Sequence, residues 1–174
     1  MLQQLQLLDT RLYFWIFNCY EHPHIAWLSR WISRLGDGAA YLLAGLLLFW
    51  LEPVDGKDFF KSGLITFSIE VPLYLLLKQL IKRNRPCDFL NGITPAIQPA
   101  DRFSFPSGHA AAAFAFASIL SIYYPGLSVA ACVIAGLIGL SRVLLGVHYP
   151  TDILAGSLLG SASALIGYSI YLMT

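Results

Sequence analysis

Long apolar runs separated by brief polar breaks organise most of the chain. Five stand out, at residues 38–51, 59–77, 110–123, 128–140 and 153–173. A helix needs ~20 apolar residues to cross a hydrocarbon core. The last run meets that length outright, and the others reach it when neighbours such as 36–38, 105–109 or 141–147 extend them. Lipid offers backbone groups no hydrogen-bond partner, so each run is predicted to be helical. The expected fold is all-α, a polytopic transmembrane bundle of five to six membrane helices. Gly156 and Gly160 stand four apart in the last run, a spacing that lets two helices approach closely.

The first third reads differently. Residues 5–19 and 24–35 mix Trp and Tyr with Arg11, Arg30 and Arg34. Ile25, Leu28, Ile32 and Leu35 recur at helical spacing, with Arg30 and Arg34 off that face. Two amphipathic helices near the membrane surface are expected. The alternative is that the second spans partway and adds the sixth crossing. Gly36-Asp37-Gly38 then breaks the chain. This divides a single domain into an interfacial part, 1–36, and a transmembrane core, 37–174.

Composition strengthens the membrane reading. Hydrophobic residues make up 57% of the 174 positions and charged residues only 12%, against roughly 25% charged in soluble domains. A formal net charge of +1 gives no sign of a nucleic-acid partner. Cys19, Cys87 and Cys132 are scattered and lack metal-ligand spacing, so buried or incidental thiols are expected. Residues 1–10 carry too little basic character for a cleavable leader, so insertion is expected to rest on the spans. Glu70 interrupts the second run. An uncompensated carboxylate there is costly, so it is expected to face the bundle interior.

The polar chemistry gathers in three clusters. Lys78 and Arg85 are seven apart before Pro86, predicting two cations on one face of a helix that ends at the proline. Arginine adds a bidentate fork for phosphate. Lys82 and Arg83 read as basic flanks reaching for the membrane surface. Ser107, Gly108 and His109 follow Pro106 and open the Ala-rich run. Free amides at a helix start favour an anion there. Ser141 and Arg142 end the fourth run, and His148 and Asp152, four apart, start the fifth. Such a carboxylate fixes one imidazole nitrogen and frees the other to attack. Alternating crossings bring all three clusters to one membrane face, with residues 83–105 as a polar cover bearing Asp101 and Arg102.

Together these clusters resemble the three-part signature of the type 2 phosphatidic acid phosphatase family: K-x6-R-P, P-S-G-H and S-R-x5-H-x3-D. Every fixed position is present between Lys78 and Asp152; no resemblance extends to the first forty residues. The resemblance implies that His148 takes the phosphoryl group, Asp152 orients it and His109 protonates the leaving oxygen. Lys78, Arg85, Arg142, Ser107 and the Gly108 amide would bind phosphate, with no metal or cofactor. The implied activity is hydrolysis of a lipid phosphate or diphosphate in the bilayer. Undecaprenyl diphosphate is favoured over phosphatidylglycerophosphate, phosphatidic acid or lipid A phosphate, because the short loops suit a slim head group. By analogy the location is the bacterial inner membrane, with the site on its extracytoplasmic face. A phosphotransferase using the same site is one alternative. A channel or transporter is another, though it leaves Ser107, His109, His148 and Asp152 without a reason to occur together. A soluble relative sharing the signature conflicts with the hydropathy.

Overall fold

The computed structural model describes residues 2–18, 23–90, 93–99 and 101–174, so Cys19 lies outside the described residues. The described chain is helical and contains no strand. Its helices are α1 (Leu2–Phe17), α2 (Pro23–Leu35), α3 (Gly38–Leu51), α4 (Gly56–Ile81), α5 (Pro86–Phe89), α6 (Gly108–Tyr123), α7 (Ser128–Leu144) and α8 (Pro150–Tyr171). Three helical stretches are long and apolar enough to cross a membrane: Gly56–Phe89, Pro125–Leu144 and Pro150–Tyr171. α2 and α3 qualify together as a fourth, bent by 54° at the Gly36-Asp37-Gly38 break.

α6 has only 16 residues, and its position explains why that suffices. It packs against α4, α7 and α8 at once. Its alanines 110, 111, 113, 115 and 117 are buried. A helix enclosed by other helices does not have to match the bilayer thickness. The expected lengthening of α6 through 105–107 does not occur, because Ser107 is extended and caps the helix.

Inward faces mix small and polar residues with the apolar core, and the outer faces are apolar. On α4 the buried face carries Ser62, Thr66, Glu70 and Lys78, while Leu64, Leu73, Leu76 and Leu80 are exposed. Glu70 faces inward as expected, 1% exposed. On α8 the buried face is Asp152, Gly156, Gly160, Ser163, Ala164 and Gly167. Its glycines let the backbones touch. A Cβ on Gly156 would come within 2.5 Å of the Ser107 carbonyl oxygen, and one on Gly160 within 2.0 Å of that of Ala111. Side-chain-free contact of this kind substitutes for the hydrophobic drive that lipid removes.

The same inversion holds for α2. Leu28 and Leu35 are more than half exposed, beside Trp27 and Trp31. The buried positions are Ser29 and Ser33, with Ile32 against Ala131, Ala135 and Ile138 of α7. Periodicity identifies the apolar face correctly, but in a bilayer that face belongs to lipid. α1 behaves alike: Leu7, Leu8, Leu12 and Trp15 point outward, and Asp9 and Tyr13 are buried.

Candidate active site

α7 turns back into α8 through residues 145–149. Gly146 makes the turn with φ +79°, where a Cβ would sit 3.1 Å from the Phe17 ring. Pro150 then occupies the first turn of α8, where its missing N–H costs nothing. His148 is held in this turn, 2% exposed. Its Nδ1 lies 3.5 Å from Asp152 Oδ2, and that oxygen also accepts the Tyr149 N–H at 2.8 Å. Its Nε2 faces Arg85 Nη1 at 3.4 Å. Burial pushes the His148 pKa down to about 4; Asp152 opposes the shift, and Arg85 and Arg142 reinforce it. The imidazole is therefore neutral at pH 7, as an attacking nitrogen must be.

The first cluster converges by a route other than the one its spacing predicts. α4 stops at Ile81, and Lys82 takes the left-handed conformation at φ 51°. Arg85 is extended, as a residue before proline should be. Lys78 and Arg85 therefore do not share a helix face. They meet instead at Asp101, whose two carboxylate oxygens each take one cation at 2.7 Å. Arg85 also donates to the Asp101 backbone oxygen and, at 2.6 Å, to that of Val147. Burial alone would raise the Asp101 pKa, but the bonds from Lys78 and Arg85 outweigh it and hold the carboxyl below its usual range. Arg102 lies over the Phe103 ring at 5.7 Å.

The second cluster opens α6. Ser107 Oγ accepts the Ala110 N–H, an N-cap that leaves its own proton free to donate. The Ser107 N–H donates to the Asp152 backbone oxygen at 3.0 Å, tying this cluster to the third. Gly108 leaves room for the Tyr74 ring, 3.0 Å from where a Cβ would be. His109 Nε2 is 3.2 Å from Asp37 Oδ1. Arg142 is 5% exposed and donates from Nη1 to Ser33 Oγ at 2.6 Å, while its Nε has no partner.

Four contacts escaped the sequence. Asp37 on His109 and Ser33 on Arg142 come from the α2–α3 break and the inner face of α2. Asp9 on α1 and Arg83 form a third and fourth. Arg83 is not a surface flank: it donates to Asp152 Oδ1 at 2.7 Å and pairs with Asp9, whereas Lys82 is exposed. The fixed positions of the signature hold no clue to these partners: Asp9, Ser33 and Asp37 lie outside it, and Arg83 is one of its variable positions.

The arrangement is a buried imidazole beside buried cations at one end of a helix bundle, and the profile of the PAP2 superfamily matches residues 61–174. The chain belongs to the PAP2 superfamily. A lipid A 1-phosphatase from Rhizobium etli is 36% identical over 83% of this chain and 70% of that protein. A phosphatidylglycerophosphatase B from Bacillus subtilis is 34% identical over 75% of this chain and 70% of its own length. The crystal structure of LpxE from Aquifex aeolicus superposes with a TM-score of 0.84 at 27% identity, covering 93% of this chain and 95% of that one. The PAP2 chain described here is thus an integral membrane protein of a lipid phosphatase family.

Proposed function

We propose that this PAP2 protein hydrolyses a lipid phosphate or diphosphate through a phosphohistidine on His148, at the extracytoplasmic face of a bacterial inner membrane. The observation that carries the reading is the double engagement of His148, with Nδ1 toward buried Asp152 and Nε2 toward Arg85. Nε2 attacks phosphorus as the bond to the leaving oxygen breaks, and His109 supplies that oxygen with a proton. Nε2 of His109 at Asp37 leaves Nδ1 for this transfer, which requires the imidazolium form; Asp37 and the phosphate's own negative charge favour that form against the burial that opposes it. Water then attacks the phosphohistidine, His109 takes the proton, and inorganic phosphate leaves His148. Lys78, Arg85 and Arg142, with Ser107 and the Gly108 amide, stabilise the transferring group; fixed charge of this kind requires no reorganisation during the reaction. Lys78, Arg85 and Arg142 offer the charge a metal would otherwise bring, which supports a metal-free mechanism in which activity survives thorough chelation.

A polyprenyl diphosphate is the substrate we favour, since the short chain has few loops from which to build a larger head-group pocket. The test is phosphate release by the purified protein across polyprenyl diphosphate, phosphatidylglycerophosphate, phosphatidic acid and lipid A phosphate. His148→Ala should lose several orders of magnitude in kcat on whichever lipid the wild type accepts. Release by His148→Ala at the wild-type rate would sink the phosphohistidine, and a phosphorylated second lipid in place of free phosphate would make the protein a transferase.

A further inference from the structure

Asp152 is completely buried and has to remain ionised, because it must accept the Nδ1 proton of His148 and balance the positive charge that builds on the ring. A lone buried carboxylate tends to take up a proton instead. One of its oxygens, Oδ2, accepts the Tyr149 N–H and lies 3.5 Å from His148 Nδ1. The other, Oδ1, accepts from Arg83 Nη1. That guanidinium lies over the Tyr149 ring at 4.1 Å, donates also to Thr151 Oγ1 at 2.7 Å, and sends Nη2 to Asp9. Asp9 is itself 2% exposed. It receives the Thr151 N–H at 3.1 Å and the Thr151 hydroxyl. Three elements therefore close on this arginine of the α4–α5 connection: α1 through Asp9, the turn through Tyr149, and α8 through Thr151 and Asp152.

We infer that Asp9 and Arg83 are positioning residues for the His148–Asp152 pair, and that α1 is consequently part of the catalytic unit. The inference rests on the phosphohistidine reading above. Arg83 keeps Asp152 charged and fixes its rotation, so that Oδ2 stays toward the imidazole. Asp9 holds the guanidinium at the required angle and offsets its charge, leaving the buried group of two carboxylates and one cation with a net negative charge to meet the ring as it becomes positive. Arginine suits this place because its planar fork can serve two carboxylates at once, whereas an ammonium presents a single point charge.

The experiment measures kcat and KM for the full chain in detergent, on a long-chain lipid phosphate, for wild type, Arg83→Met, Arg83→Lys, Asp9→Asn, Asp152→Asn and Arg83→Met combined with Asp152→Asn. Arg83→Met and Asp9→Asn should lower kcat by about 10- to 100-fold, the usual loss when an orienting partner is removed, with KM within twofold. Arg83→Lys should recover part of the loss. In the Asp152→Asn background Arg83→Met should cost less than threefold more, because both act through one group. Wild-type kcat in Asp9→Asn and Arg83→Met overturns the inference, and so does full additivity with Asp152→Asn, which marks a fold-supporting role only. If Arg83→Met does not fold, Asp9→Asn, nearly identical in shape, decides the matter on the same readout. A wild-type protein inactive on every lipid phosphate refutes instead the reading on which the inference stands.

Discussion

At the scale of the residue, the decisive property is the neutrality of a buried imidazole. His148 has its pKa lowered to about 4, chiefly by burial, while an unfolded histidine titrates near 6.5. Between these values the unfolded chain binds a proton that the folded His148 refuses. Its contribution to stability is therefore present above about pH 6.5 and is lost as pH falls toward 4. The thermal midpoint of wild type should drop over that window more steeply than that of His148→Asn, which has no such group; parallel curves would mean the imidazole is not desolvated. The residues of this centre were legible in unequal measure. His109, Asp152 and Arg142 carried their spacing with them. Asp37, Ser33 and Asp9 did not, since their partners are 72, 109 and 142 residues away and no local period connects such pairs. Arg83 stood in plain view between Lys78 and Arg85, but a basic residue at a helix end has an ordinary explanation until its partner is known.

At the scale of the element, turn chemistry and hydrophobic period gave the helices, while their ends and orientation came from elsewhere. Pro86 marks a break, yet α4 ends four residues before Arg85 is reached. The break takes up residues 82–85, and convergence is restored by Asp101. For α2 the pattern named the apolar face, which a place at the membrane surface turns to lipid; for α1 it named none. Gly156 and Gly160 were the sound signal, because small residues at that spacing are useful only at a contact. Gly160→Ala would force its methyl into the Ala111 carbonyl, and overpacking typically costs about 1–3 kcal/mol. Gly136, on α7, has nothing within 4 Å of a Cβ, so Gly136→Ala should be neutral or slightly stabilising. Thermal midpoints of the two variants in one detergent check the contrast; equal midpoints would show that α6 and α8 do not meet through backbone.

At the scale of the whole molecule, a groove beside the bundle bears on how a lipid is held. A cavity of about 280 Å³ lies between α3, α4 and α6, lined by Tyr41, Gly45, Phe60, Gly63 and Val71 among others. It begins at Gly38, next to the Asp37 that touches His109, and it is almost wholly apolar. A tail lying here stays in hydrocarbon while its head group reaches Lys78, Arg85 and Arg142, and each methylene kept from water is worth about 0.8 kcal/mol. With one head group and increasing tail length, kcat/KM should rise steeply and then level off once the groove is filled. A water-soluble ester turned over as well as its long-chain counterpart would require an open aqueous site instead. The Asp101 contact has a further consequence, for turnover. One carboxylate of the same chain, Asp101, already bonds both Lys78 and Arg85 and offsets one of their two charges, so on the proposed phosphate-binding role phosphate would enter by exchange, with Asp101 a tethered competitor at high effective concentration. Its return to Lys78 and Arg85 would then displace the inorganic product from these two cations. Asp101→Asn should therefore bind substrate more tightly and suffer stronger inhibition by free phosphate, trading speed of release for grip.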